Sequence, residues 1–336
     1  MAMTKPGLID AVFDTLHDRE AMAIQQPCIV LAEPFEPAAV AKLRAVGQVT
    51  ELKACDEATL RAAVDNCDAL LVRSRARVTR AVIEGAPRLR VIGRGGVGLE
   101  NIDVDAAKER GVIVVYTPGA ATDAVADLTI GLMIAVVRGI AACDADVRAG
   151  RFEQARQRTC GRELSEMTVG IIGMGRIGRA VAKRCRIAFS MSVLYNDIVQ
   201  PGWLGFVAEP ATKDELYARC DVVSLHVPLN DTTKNLIDAG AFSRFKTGSF
   251  LINTSRGGVV GSEALAKALM DGHLAGAGLD VVEPEPLPAD HPLLRAPNTI
   301  FTAHIGARTT SGLSRMNAVV DDVLRVLEGK PPLYPS

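Results

Sequence analysis

Three glycines and an acid carry the first chemical signal in this sequence. Gly173, Gly175 and Gly178 stand as G-x-G-x-x-G in "VGIIGMGRIGRA", where a run of small and β-branched residues meets a helical pattern. In that setting the first glycine makes a tight turn and the second lets a pyrophosphate approach the backbone. The third allows helix and strand to pack closely. The helix that opens at Arg176 and Ile177 would offer unpaired N–H groups and a positive dipole end to the phosphates. The next strand-like run, "MSVLYND", ends at Asp197, where an acid can accept hydrogen bonds from an adenosine ribose. The residues after it, "IVQPGW", contain no Arg or Lys to hold a 2′-phosphate, so NAD is expected rather than NADP. A plain surface acid at a strand end is the other reading of Asp197. Three further groups are of chemical interest. Arg256 in "NTSRGG" and His304 in "TAHIGA" each lie just past a strand end, and Glu285 lies in "EPEPLPAD". On residue type alone each has an ordinary reading: a salt-bridged arginine, a structural histidine, a polar loop acid.

The elements that must position these groups alternate strand and helix. "PCIVLAE", "ALLVRS", "RVIGRGG" and "GVIVVYTP" read as four strands, with "EPAAVAKLRAVG", "TRAVIEGA" and "VDAAKERG" as helices between them. Such alternation predicts a parallel sheet covered on both faces. Residues 1–26 read as an N-terminal extension. Residues 121–152 form a long proline-free stretch whose apolar residues exceed one helical stripe, so a helix there must be buried on more than one side. Packing inside the monomer and packing against a second copy, giving a homodimer through 121–150, both satisfy that demand. A second series follows: "TVGIIG", "MSVLYND", "CDVVSLHVP", "SFLINTS", "AGAGLDVV" and "NTIFTAHIG". Six strands with intervening helices fit a doubly wound dinucleotide-binding sheet. The final "GARTTSGLSRMNAVVDDVLRVLEG" reads as one helix closed by glycine.

Composition narrows the function classes. The 336 residues, 48% hydrophobic and 23% charged, suit two globular domains, and the net charge of −1 provides no basic field for nucleic acid. The seven cysteines lack a C-x-x-C spacing, which points to reduced thiols in a cytoplasmic protein and to no metal site. The longest apolar stretch, "LTIGLMIAVV", is too short to span a bilayer, and no membrane partner is expected.

In order and spacing, "VGIIGMGRIGRAVAKR", "SLHVPLNDTTKNLI", "LINTSRGGVV", "AGLDVVEPEP" and "TAHIGA" resemble the D-isomer-specific 2-hydroxyacid dehydrogenases from about residue 27 to 330. The resemblance implies a Rossmann NAD domain, 120–308, inserted into a flavodoxin-like substrate domain made of 27–119 and 309–336. It would put hinges near Pro118–Ala120 and Gly306–Thr309, with the active site in the cleft between the domains. It makes Arg256 the cation for the substrate carboxylate, His304 the base for the hydroxyl proton, and Glu285 the acid that orients the imidazole and raises its basicity. Glu285 is preferred to Glu283 because the family places its acid five residues after the "LD" aspartate. It further implies cofactor contacts at His226, Val227, Pro228 and Thr233, at the main chain of Thr254 and Ser255, and at Asp280, His304 and Gly306.

In the first domain the resemblance places the substrate pocket at Arg73, Ser74, Arg94, Val97 and Gly98. Phosphoglycerate dehydrogenases resemble this sequence most closely around Arg73 and Arg94. Arginines converging there, with Arg75 as a third, would suit a dianion, which favours 3-phosphoglycerate over glyoxylate or hydroxypyruvate as the small-molecule partner. Ion pairing with acids such as Glu100 is the alternative for these arginines. An NAD(H)-sensing binding module of corepressor type is an alternative of another class. Three positions depart from the family pattern: Ala303 replaces a common proline, Tyr116 a frequent asparagine and Glu100 a frequent aspartate.

Overall fold

The computed structural model describes residues 26–158 and 160–336, so the extension read over 1–26 falls almost wholly outside the described residues. The chain divides into two compact units, the described part of Met1–Ala121 with Thr310–Ser336, and Thr122–Thr309.

The first unit is built on β1 (Cys28–Leu31), β2 (Gln48–Glu51), β3 (Ala69–Val72), β4 (Val91–Arg94) and β5 (Ile113–Tyr116). They pair in parallel in the order β2-β1-β3-β4-β5. β3 reads ALLV with all four residues buried, as a central parallel strand covered on both faces must be. The polar edge strand β2, QVTE, has no apolar run to announce it. Neither it nor the helix Glu57–Ala63 is among the elements expected from sequence. The order reverses between β1 and β3, which makes the carboxyl ends of those two strands a topological switch point.

One face of this sheet is covered by Phe35 and the helix Pro37–Arg44 together with the end of the chain. Val319, Val320, Val323 and Val326 pack on Ile29, Leu31, Leu71, Val91 and Val115. Fully burying a valine contributes about 1.5–3 kcal/mol. The approach is close, since a Cβ on Gly93 would lie 2.5 Å from Val323 Cγ2. The single helix expected here is two, Thr310–Asn317 and Val319–Leu327, joined end to end through Ala318.

The second unit carries β6 (Thr168–Ile172), β7 (Ser192–Asn196), β8 (Glu209–Pro210), β9 (Val222–Leu225), β10 (Ser249–Asn253), β11 (Leu274–Leu279) and β12 (Thr299–Phe301). All pair in parallel in the order β12-β11-β10-β9-β6-β7-β8. The seventh strand, β8, is two residues long and too short to leave a periodic signal. The order reverses between β6 and β9, so this sheet has its own switch point there.

The long helix expected over 121–152 is corrected to three: Thr122–Val137, Ile140–Arg148 and Phe152–Arg158. Gly139 adopts a left-handed φ of 61° and bends the chain by 63° between the first two. Helix Thr122–Val137 is buried on more than one side within its own unit. Ile130, Met133 and Val137 join a core with Val181 and Cys185 of helix Arg176–Ala188 and Ile252 of β10. On β11, a Cβ at Gly278 would stand 2.9 Å from Leu132 Cβ. Among the described residues no single helix is long and apolar enough to cross a membrane.

Candidate active site in the second unit

The glycine turn leaves β6 at the switch point. Gly173 has φ 93°, a conformation L side chains rarely adopt, and a Cβ there would stand 2.6 Å from the carbonyl oxygen of His226. A Cβ on Gly178 would overlap the carbonyl oxygen of Gly173, so the helix can lie this close to the turn only with glycine. Gly175 differs from both. Its backbone is extended, it caps helix Arg176–Ala188, and nothing lies within 4 Å of where a Cβ would be. The first i→i−4 bond of that helix runs from Arg179 N to Gly175 O, which leaves the amides of Arg176, Ile177 and Gly178 ahead of it for an anion. An open cradle on these amides fits a dinucleotide pyrophosphate.

Asp197, at the end of β7, accepts from Met174 N (2.5 Å) and Val199 N (2.9 Å), tying the glycine turn to the neighbouring strand. It lines a cavity of about 350 Å³ with Tyr195, Asn196, Ile198, Gln200, Pro210 and Ala211. None of these is a cation, which fits a ribose without a 2′-phosphate. NAD therefore matches the residues present.

At the end of β9, His226 N donates to Ile172 O of β6 (2.8 Å). Its Nε2 is 2.9 Å from Ser224 Oγ, and burial pushes its pKa down to about 3. His226 is therefore neutral at working pH and a weak proton acceptor. Val227 Cγ1 would lie 2.9 Å from a Cβ on Gly173, beside the cradle. Thr233 Oγ1 donates to Pro228 O (2.6 Å), so this hydroxyl serves the local turn.

Arg256 follows β10, and its backbone is set by a residue the sequence reading missed. Asn253, 1% exposed, accepts from Ser255 N (3.0 Å) and Ser255 Oγ (2.8 Å) and donates from Nδ2 to Arg256 O (3.0 Å). The guanidinium Nη1 donates to Ser255 O (2.7 Å). A Cβ on Gly257 would overlap Val282 O, so the Arg256 turn sits directly on the chain leaving β11. Thr254 Oγ1 meets Thr129 Oγ1 of helix Thr122–Val137 at 2.8 Å, a second anchor not foreseen from sequence.

His304 follows β12 with φ 52°, a left-handed conformation that costs a non-glycine residue about 1–2 kcal/mol. Asp280, 2% exposed at the end of β11, holds it there. Asp280 Oδ1 accepts from Thr302 Oγ1 (2.5 Å) and Ile305 N (2.8 Å), Oδ2 accepts from Gly306 N (2.8 Å), and the main-chain oxygen accepts from His304 N (2.9 Å). A Cβ on Gly306 would stand 2.9 Å from Asp280 Oδ2. The carboxylate of Asp280, expected from the resemblance to contact the cofactor, accepts three hydrogen bonds from the histidine turn. His304 Nδ1 lies 3.0 Å from Glu285 Oε1 and 3.2 Å from Oε2, with both side chains about half exposed. A carboxylate can only accept, so in the neutral ring this contact favours the tautomer with the proton on Nδ1 and Nε2 as the acceptor. Arg256, Asp280 and His304 thus leave the carboxyl ends of three adjacent strands, β10, β11 and β12. Among the described residues no group of three or more His, Cys, Asp or Glu side chains is placed to hold a metal.

The residues assigned to a substrate pocket lie in the first unit. Arg73 and Arg94 leave the adjacent strands β3 and β4. The Arg73 guanidinium lies 5.8 Å from the Phe35 ring, and Arg94 Nη1 donates to Gly95 O (2.8 Å). A Cβ on Gly96 would overlap the Arg94 guanidinium. Ser74 is exposed, and Val97 and Gly98 are half-buried in the loop after β4. The acid paired with Arg75 is Glu33, at 3.3 Å, a residue sequence reasoning did not single out.

Residues 130–306 match the NAD-binding domain of the D-isomer specific 2-hydroxyacid dehydrogenases. The chain is 39% identical over 306 residues to a D-3-phosphoglycerate dehydrogenase of Methanocaldococcus jannaschii, covering 90% of this chain and 58% of that one. It is 40% identical over 271 residues to a glyoxylate reductase of Thermofilum pendens, covering 79% and 80% respectively. A D-lactate dehydrogenase of Aquifex aeolicus, solved with NAD and lactic acid, superposes with a TM-score of 0.83 at 29% identity, covering 90% of this chain and 96% of that one. The chain thus spans a little over half the length of the phosphoglycerate dehydrogenase it matches.

Proposed function

This chain belongs to the D-isomer specific 2-hydroxyacid dehydrogenases, and from that premise we propose that it oxidises a D-2-hydroxy acid reversibly to the 2-keto acid with NAD. The observation that carries the reading is the His304–Glu285 contact in the unit that also holds the glycine cradle. Arg256 would bind the substrate carboxylate and polarise the reacting oxygen. His304 Nε2 would accept the hydroxyl proton during oxidation and return it during reduction. Glu285 would keep the other ring proton on Nδ1 and favour the imidazolium that forms. The chemistry NAD supplies is hydride acceptance from the hydroxyl-bearing carbon. The amides at Arg176–Gly178 would hold its pyrophosphate and Asp197 its adenosine ribose.

The substrate we favour is 3-phosphoglycerate, on the positions of Arg73 and Arg94 at adjacent strand ends and the likeness to phosphoglycerate dehydrogenases. The Glu33–Arg75 pair and the glyoxylate reductase relative support a smaller, unphosphorylated acid as the second reading. A homodimer is part of the same reading. Ile140, Val147 and Phe152, 49%, 43% and 57% exposed, lie on the bent helices after Gly139 and offer apolar surface to a second copy. The test is NADH formation with D-3-phosphoglycerate, D-glycerate and D-lactate offered side by side. Turnover confined to the phosphorylated acid is expected. Turnover of the other two alone replaces the substrate, and tight NADH binding without any turnover favours a sensing role.

A further inference from the structure

We infer that Glu33 is a positioning residue for substrate recognition, fixing the loop Arg73–Ala76 at the switch point of the first unit. The inference rests on the reading of that loop as a contact for the anionic end of the substrate. Glu33 follows β1 and the loop follows β3, the pair of strands between which the sheet order reverses. In open parallel sheets, ligands collect at that crevice.

Here the crevice already holds an anion of the chain's own. Glu33 Oε1 accepts from three main-chain amides of the loop: Arg73 N (2.9 Å), Arg75 N (3.0 Å) and Ala76 N (3.1 Å). Its Oε2 accepts from Arg75 Nε (3.3 Å). Converging amides of this kind form an anion-binding concavity. A carboxylate only 5% exposed persists there because these donors replace its lost hydration. The carbonyl side of the loop is held as well, since Asn101 Nδ2 donates to Arg73 O (3.1 Å) and Ala76 O (2.7 Å).

With the amides of Arg73, Arg75 and Ala76 engaged by Glu33, the loop's contact with a ligand anion falls to the side chains of Arg73 and Ser74, whose backbone Glu33 fixes. The residues following Glu33 also guide the arginine. Its guanidinium packs by the Phe35 ring (5.8 Å) and approaches Pro34 O (3.5 Å) and Met316 Sδ (3.5 Å). One short segment, 33–35, thus sets both the backbone of the loop and the path of its arginine. Glu33 is buried away from solvent by the same contacts, so its effect on a substrate is exerted through Arg73 and Ser74.

The experiment compares Glu33→Gln, Glu33→Ala and Arg73→Ala in the full chain, using whichever offered 2-hydroxy acid turns over fastest. KM, kcat, NADH affinity and the thermal midpoint are measured for each. The expected result is a KM raised about tenfold in Glu33→Ala and less in Glu33→Gln, with kcat within about twofold and NADH affinity unchanged. Glutamine keeps an oxygen for the amides but turns an N–H₂ toward Arg75, which is why it is intermediate. A lowered thermal midpoint with unchanged KM in a folded Glu33 variant, while Arg73→Ala raises KM, would overturn the inference. If Glu33→Ala does not fold, Glu33→Gln decides by the same criterion. An Arg73→Ala enzyme with unchanged KM for every acid offered would instead overturn the substrate role of the loop, and this inference with it.

Discussion

The two sheets reverse their strand order in the same way and equip the resulting crevices oppositely. In the second unit the crevice between β6 and β9 is bordered by glycine: nothing lies within 4 Å of where a Cβ on Gly175 would be, and the amides at Arg176–Gly178 precede the first i→i−4 bond of the helix. In the first unit the crevice between β1 and β3 is filled by the Glu33 carboxylate, which takes three amides of the facing loop. An open crevice can bind an anion through the backbone, whatever side chains surround it. One whose amides are largely taken recognises ligands mainly through side chains, and these can change without disturbing the fold. On the proposed function, cofactor binding would be written in backbone geometry, and substrate choice in a handful of residues above a fixed loop.

The largest effect should come from closing the open crevice. Gly178→Val places a side chain onto the carbonyl oxygen of Gly173, and NADH affinity should fall at least about a hundredfold, read by fluorescence titration. Unchanged affinity would show that the turn does not hold the dinucleotide. Next comes His304→Gln, which should lower kcat by about 10²–10⁴ with NADH affinity retained. His226, pushed down to about 3 by burial, cannot replace it as the proton acceptor. A smaller loss, about tenfold in kcat, is expected for Asp280→Asn, where an amide replaces an acceptor of two main-chain N–H groups and a hydroxyl in the histidine turn. Loss of NADH affinity with kcat preserved would return Asp280 to direct cofactor contact. The smallest effect belongs to Arg75→Ala. Its side chain is 70% exposed, so losing the Glu33 pair should cost less than about 1 kcal/mol of stability, by denaturant unfolding. A larger loss would mean that Arg75, and not the loop amides, is what keeps Glu33 buried.

The backbone-written half of this comparison was legible in the sequence and the other half much less so. Gly173, Gly175 and Gly178 could be read because each stands where only glycine fits or where the chain must stay open, and their spacing after a β-branched run is specific. Arg256, Glu285 and His304 carry chemistry by residue type, and they became readable together through family spacing. Glu33 and Asn253 were not readable, because a polar residue at the end of an apolar run looks the same whether it is solvated or buried, and Thr129, inside a helix, names its partner only once the fold is known. Only the fold brings Asn253 beneath the Arg256 turn and Glu33 beneath the loop after β3. The break after Val137 was hidden for a similar reason. Gly131 continues the helix and Gly139 ends it, and the difference lies in the left-handed φ of the second, not in residue type.

The valines of Val319–Leu327 that cover the five-stranded sheet have a further consequence for how the chain comes to be folded. They are synthesised only after the whole of Thr122–Thr309, whereas every strand they cover is complete by Tyr116. During synthesis the second unit contains all its own segments and can form as an autonomous piece, while the first waits for the four valines that complete the cluster of Phe35, Ala39, Val40 and Leu43 over Ile29, Leu71 and Val91. The nascent chain therefore matures from the middle outward, and its earliest-made sheet is the one that depends longest on protection from aggregation.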